Sequence, residues 1–187
     1  MTLHFFALFD TPIGACAVRW TGQRIAGLQL PESTPASTRR RALKRWPGAR
    51  ESMPAPDIQR AIDRVVALLR GERIDLGDIE LDLSSVPDFH REVYDVARSV
   101  PAGQTITYGE IARRLGVPHE AREVGQALGR NPVAIIVPCH RVLGADGKMG
   151  GFSAAGGVVT KRRILEIEAA AALSAGPLFV GRAPHNG

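Results

Sequence analysis

Two cysteines, Cys16 and Cys139, are all that 187 residues contain, which excludes a four-cysteine zinc site and allows one disulfide at most. Nothing in the chain suggests export, so both read as reduced thiols. The five histidines are scattered without ligand spacing, and no metal is expected. No apolar run approaches the roughly 20 residues that span a bilayer. The segment Met1 to Phe9 is apolar but short, lacks a basic leader and runs into Asp10-Thr11-Pro12, so it does not read as a signal peptide. These absences predict a cytoplasmic protein without membrane contact. Internal repeats are lacking too. Charge is not divided between the halves: residues 1–85 carry 12 Lys/Arg and 10 Asp/Glu, residues 86–187 carry 12 and 9. The net charge of +5 permits a polyanionic partner without requiring one.

What is present is ordinary for a globular chain, with 44% hydrophobic and 23% charged residues, and long enough for a small domain packed on a slightly larger one. The first half reads as an α+β unit. Phe5 to Phe9, Ala15 to Trp20 and Ile25 to Leu30 are strand-like and predict a three-stranded sheet. Pro31 to Thr38, rich in Pro, Ser and Thr, reads as loop, and Arg39 to Trp46 as a short basic helix stopped by Pro47-Gly48. Ile58, Ile62, Val65, Val66 and Leu69 recur at helical spacing up to Gly71. Ile79 to Leu83 alternates and suggests an edge strand. The turn-like Ser84-Ser85-Val86-Pro87 marks a boundary, giving units 1–85 and 86–174 and a loose tail at 175–187. Beyond the boundary the pattern is mainly helical. Phe89, Val93, Val96 and Val100 share a helix face; Thr107 and Glu110 have capping-box spacing; and Gly116 separates that helix from one started by Pro118, with Ala121, Val124 and Leu128 inward. Two short helices about a tight turn form a helix-turn-helix, by itself a weak indication of DNA binding.

The chemistry concentrates where a strand-like apolar run, Val133 to Val137, ends at Pro138-Cys139-His140-Arg141-Val142. Thiolate is the reactive form of cysteine, and a nearby base is one way to generate it near neutral pH. Side chains of neighbouring residues on a strand point apart, whereas a turn or one-turn helix here would let His140 act on Cys139 through a water. The base needs an orienting group, and the last helix, about Val158 to Leu173, offers Glu166 and Glu168. A lone Cys-His dipeptide is more often a buried inert thiol beside an incidental histidine, and Cys16, on an alternating strand, takes that reading.

The longer string alters this. Asn131-Pro132, the apolar run and Pro138-Cys139-His140-Arg141-Val142, set behind the helix-turn-helix, resemble the active-site signature of the O6-alkylguanine-DNA alkyltransferases, or methylated-DNA–protein-cysteine methyltransferases. The resemblance covers about Pro87 to Ala169 strongly and the Thr11-Pro12-Ile13-Gly14 turn more loosely. It implies an α+β fold with a ribonuclease-H-like N-terminal unit and a winged helix-turn-helix C-terminal one. It also implies a monomer without cofactor that binds double-stranded DNA in the minor groove. Cys139 would accept the alkyl group of O6-alkylguanine, and of O4-methylthymine, once per molecule. His140 would be the base acting through water, and Glu168, in register with Lys161, its orienting carboxylate. Asn131 would brace the turn, and Tyr108 would help swing the nucleotide out and protonate the leaving guanine. Arg122, fourteen residues after Tyr108, would fill the vacated stack. Ser153 would contact the O6 region, with Ala121 and Arg130 among the DNA contacts. A base inside duplex is out of reach, so extrusion is part of the reaction.

Three other readings explain less. Relatives that flag lesions without reacting lack the cysteine; a thiol hydrolase leaves Arg122 and Tyr108 idle; a transcription factor of this kind would carry an added N-terminal sensor. The chain also departs from the family pattern. Phe152 stands where many members have tyrosine, and Phe152 to Lys161 is about two residues longer than usual, which bears on the shape of Ser153-Ala154-Ala155-Gly156-Gly157. Ala134 replaces a proline of some members and is expected to widen the alkyl pocket. Rates on ethyl and benzyl lesions, relative to methyl, should therefore be higher in the wild type than in Ala134→Pro; equal ratios would refute this.

Overall fold

The computed structural model describes residues 3–150 and 156–174. The chain opens with β1 (Phe5–Phe9), β2 (Cys16–Thr21) and β3 (Arg24–Gln29), an antiparallel meander whose first turn is closed by hydrogen bonds between Thr11 and Gly14. Helix α1 (Pro35–Arg45) follows, then β4 (Arg50–Glu51) and α2 (Pro56–Leu69). The sheet therefore has four strands in the order β3-β2-β1-β4, one more than expected, because two residues after α1 return parallel to β1. The loop expected at Pro31 to Thr38 ends earlier. Thr34 accepts a hydrogen bond from the Ser37 amide at 3.1 Å and Pro35 fills the first turn, so Ser, Thr and Pro here start a helix.

Helix α1 is seated on one face of the sheet by Ala42 and Trp46, against Phe6 and Ala17. Trp46 lies flat over Gly27, where a Cβ atom would stand 2.8 Å from the indole ring. The other face carries α2 and the main core, which runs without interruption into the second half of the chain. Ile79 to Leu83, expected as an edge strand, makes only one bridge, Leu81 to Ile25, flanked by Ile25 N–H to Glu80 C=O and Asp82 N–H to Ile25 C=O. It stops there because the open edge of β3 is shared. Further along, Leu28 N–H donates to Pro132 C=O at 2.9 Å and Leu28 bridges Val133.

The second half holds α3 (Asp88–Arg98), β5 (Ile106–Thr107), α4 (Tyr108–Arg114), α5 (Ala121–Gly129), β6 (Val142–Leu143) and α6 (Val158–Ser174). Val93 and Val100 are buried as the periodicity predicts, with Phe89 and Val96 packed beside them. Thr107 caps α4 by accepting from the Glu110 amide at 3.1 Å, but the Glu110 carboxylate turns outward to Arg113 and Arg114, so only half of the capping box forms. Pro118 lies in the turn, and α5 begins at Ala121. The apolar run Val133 to Val137 is not a strand but a buried turn with Ile135 at φ +72°. β5 and β6 pair in parallel, Ile106 with Val142 and Thr107 with Leu143. No described helix is long and apolar enough to cross a membrane. The proposed tail, 175–187, lies outside the described residues.

Gly27→Ala should force Trp46 off the sheet and destabilise the fold by about 1–3 kcal/mol, the usual cost of overpacking. A lowered Tm with altered tryptophan fluorescence would show it, and an unchanged Tm would refute the contact's role.

Candidate active site

Cys139, His140 and Arg141 form one turn of 3-10 helix between the Asn131–Pro138 turn and β6. Asn131 sets the geometry. Its Oδ1 accepts from Val133 N–H and its Nδ2 donates to Val137 C=O, both at 2.9 Å, so one buried side chain closes a turn that has little other secondary structure. The closure holds Ile135 in the left-handed region, which costs a β-branched residue about 1–2 kcal/mol.

Cys139 is 9% exposed and His140 not at all. His140 Nε2 lies 2.8 Å from Glu168 Oε1. The same carboxylate accepts from Arg141 Nε at 3.0 Å and Arg141 Nη2 at 2.8 Å, and from Gly103 N–H at 3.2 Å. The remaining nitrogen of that guanidinium donates to Val100 C=O at 2.6 Å. Burial alone would raise the pKa of Glu168, but hydrogen bonds and charge from His140 and Arg141 hold it down at about 2. Glu168 is therefore ionised and can only accept, so His140 Nε2 carries its proton and Nδ1 keeps the lone pair. Nδ1 is buried and has no hydrogen-bond partner among the described residues. Burial, the largest influence, also lowers the His140 pKa, which keeps the ring neutral and able to take a proton.

Burial pushes the Cys139 thiol up. Hydrogen bonding from Asn131, the charge of Lys161 and the backbone amides of Cys139 and His140 pull the other way. Lys161 is fully buried, donates to Val142 C=O at 2.6 Å and lies 6.0 Å from the centre of the Tyr108 ring. Because Tyr108 directly follows β5 and Arg141 directly precedes β6, the two-residue ladder carries Tyr108 to the cysteine. Burial and Cys139 raise the Tyr108 pKa, so its hydroxyl stays protonated. That hydroxyl lies against Gly150, where a Cβ would come within 2.5 Å.

The structure thus brings together Cys139, His140, Glu168 and Asn131, with Tyr108 alongside. Glu168 meets His140, while Glu166 faces solvent. Arg122 is exposed in the first turn of α5, away from the relay; Ala121 is half-buried beside it and Arg130 exposed at the far end. Ser153 lies outside the described residues. Cys16 is buried, with its thiol pushed up to about 12 by desolvation, and is inert. Arg141 was missed as a site residue. An arginine inside an apolar string must be paired if it is buried, and that was the available signal.

Comparison with known proteins identifies relatives along most of the chain. The family model described as 6-O-methylguanine DNA methyltransferase, DNA binding domain, matches residues 88–170. The methylated-DNA–protein-cysteine methyltransferase of Mycobacterium tuberculosis is 39% identical over 169 residues, covering 89% of this chain and 92% of its own. Its Mycobacterium leprae counterpart is 36% identical over 170 residues, 91% and 95% of the two chains. Among solved structures, the M. tuberculosis protein OGT in complex with DNA matches with a TM-score of 0.73 at 36% identity, over 89% of this chain and 94% of that one. The O6-methylguanine-DNA methyltransferase of Pyrococcus kodakaraensis gives 0.68 at 26% identity, over 88% and 99%. The chain belongs to the methylated-DNA–protein-cysteine methyltransferase family.

A carboxyl whose pKa is lowered in the folded state adds stability that is complete above its ordinary value of 4.5 and is lost as pH falls towards 2. Burial-lowered His140 acts in the same direction below its ordinary 6.5. Glu168→Gln should cost about 3–5 kcal/mol at neutral pH, because Arg141 stays buried without its counter-charge, and should flatten the acid limb of stability. Urea unfolding between pH 7 and about pH 2 would measure both; parallel acid limbs in wild type and variant would refute the assignment.

Proposed function

We propose that Cys139 is the alkyl acceptor of a DNA-repair transferase and that the surrounding residues act in one concerted step. As a member of its family the chain is a methylated-DNA–[protein]-cysteine S-methyltransferase acting on DNA that carries O6-alkylguanine; O4-methylthymine is the second substrate of the proposal. The observation that carries the reading is the buried Glu168–His140 pair, which leaves the His140 Nδ1 lone pair unused among the described residues, on the residue next to Cys139. The free Nδ1 lone pair takes the thiol proton through a water, and the ionised carboxylate stabilises the imidazolium that results. Sulfur attacks the saturated carbon on O6; the S–C bond forms, the C–O6 bond breaks, and the electron pair leaves with the purine. Tyr108, protonated and beside the cysteine, donates to the departing base. A desolvated thiolate is a strong nucleophile towards carbon, which suits a thiol held neutral until the lesion arrives. The thioether formed has no readily displaced group, so each molecule acts once.

The DNA-handling roles belong to the same proposal. α4 and α5 serve as a winged helix-turn-helix in the minor groove, with Ala121 and Arg130 at the interface and Ser153 at the O6 edge. Arg122 fills the space of the extruded nucleotide, supported by its exposure at the start of α5 without any partner among the described residues. The unit 1–85 is a ribonuclease-H-like support and 86–174 the acceptor domain, a division supported by the family match beginning at 88. The protein acts as a monomer without a cofactor, in the cytoplasm.

Incubation with a duplex containing O6-methylguanine should add about one methyl, roughly 14 Da, mapping to Cys139 and saturating at one per chain. Cys139→Ala should abolish the gain and keep DNA binding. Arg122→Ala should slow transfer from duplex by about 10–100-fold while leaving attack on a free modified base unchanged. An unmodified Cys139, or mass gain beyond one equivalent, would refute the reading.

A further inference from the structure

The charge excess is far more local than a comparison of halves suggests. Between Glu32 and Glu51 the chain has six basic residues, Arg39, Arg40, Arg41, Lys44, Arg45 and Arg50, and no carboxylate. The other 169 residues hold 18 Lys/Arg against 19 Asp/Glu, so this one segment accounts for the whole net charge of +5. The segment 103–130, with α4 and α5, has four arginines against three glutamates, which is little for an element that must meet a polyanion.

The basic segment is α1, the turn after it and Arg50, the first residue of β4, a strand that the Arg39–Glu51 ion pair ties to α1. Ala42 and Trp46 hold the inner face of α1 on the sheet, which turns Arg40 and Lys44, four residues apart, towards solvent. Arg39 and Arg41 are spent on Glu51 and Glu32. Arg40, Lys44 and Arg50 are exposed and have no ion pair among the described residues. Arg45 meets only neutral acceptors, Gln29 Oε1 at 3.0 Å and the Asn131 carbonyl at 3.4 Å. Burial, Arg41 and Arg19 all depress its pKa, a crowding that a nearby anion would relieve. The Asn131 contact also fixes where the patch sits. The end of α1 adjoins the C-terminal end of α5, and nine residue steps along α5 and just past it, about 13 Å, separate that point from Arg122.

We propose that α1 and the adjoining Arg50 of β4 form a second duplex-binding surface, on which Arg40, Lys44 and Arg50 contact backbone phosphates flanking the lesion, beyond the reach of α4 and α5. This rests on the alkyl-transfer reading and deepens it. The segment supplies the sequence-independent affinity that the helix-turn-helix lacks, and its lodging against the Asn131 turn keeps the bound duplex aligned with Cys139. Flexible cations on a helix face and the strand end beside it suit phosphates and carry no base code.

The test uses the full chain in a Cys139→Ala background, so that binding is read without reaction. The triple variant Arg40→Gln/Lys44→Gln/Arg50→Gln is compared on a duplex of about 25 base pairs. Three lost phosphate contacts should make the log–log salt slope shallower by about 2.7, so that between about 50 and 200 mM salt the parent loses about 40-fold more affinity than the variant. On a duplex of about 10 base pairs centred on the lesion the difference should shrink towards none. Arg40→Lys/Arg50→Lys, which keeps the charge, should keep the parent slope. Equal slopes on the long duplex, an undiminished difference on the short one, or loss of slope in the charge-retaining variant would each overturn the proposal. Failure of the alkyl-transfer reading would appear separately, as absent mass gain in the Cys139-containing protein.

Discussion

One buried carboxylate, that of Glu168, is shared by an imidazole, a guanidinium and a backbone amide, and the reactive end of the molecule is organised around it. Burying an ionised carboxylate is costly unless every lone pair is used. Here His140, Arg141 and Gly103 use them, and the surplus of donors keeps the group charged. Charge on Glu168 then decides the tautomer of His140, and the tautomer decides which nitrogen can reach towards sulfur. Arg141 has a second task, since its bond to Val100 fastens the end of α3 to the same cluster. Stability and reactivity therefore draw on the same three side chains.

The N-terminal unit contributes to this arrangement without entering it. The outer edge of β3 is occupied by Glu80 to Asp82 at one end and by Pro132 and Val133 at the other. The turn that carries the cysteine is thus partly an extension of the first sheet. Asn131 finishes that turn from within, and Arg45 touches it from outside. A left-handed Ile135 persists because it is held on both sides.

How much of this could be read beforehand varied with the range of the interactions involved. The helices α2, α3 and α5 were legible because their apolar faces repeat at helical spacing, α4 was legible from its capping pair and closing glycine, and the grouping of Cys139, His140 and Glu168 was legible from a motif and its register. The start of α1 was misjudged because Ser, Thr and Pro favour loops and helix caps alike, and only the Thr34 hydrogen bond decides between them. Val133 to Val137 looked like a strand because apolar residues in a row carry no mark of a turn; the bonds that bend it come from Asn131 and β3, both distant in kind from local propensity. Arg141 escaped notice because an arginine is ordinarily exposed, and its burial shows only once Glu168 and the Val100 carbonyl close around it. The even charge of the two halves concealed a segment without a single acid.

The short ladder between β5 and β6 has a consequence for how such a molecule can vary. Two residue pairs clamp the strand that leads into Tyr108 to the strand that leaves Arg141. The backbones that carry the phenol and the sulfur are thereby held in a common register that uses no residue beyond Leu143. Between Leu143 and Val158, Gly150 bears on the phenol, so a change of length after Gly150 leaves both the clamp and that contact in place, and divergence in which alkyl groups are accepted has a place to accumulate.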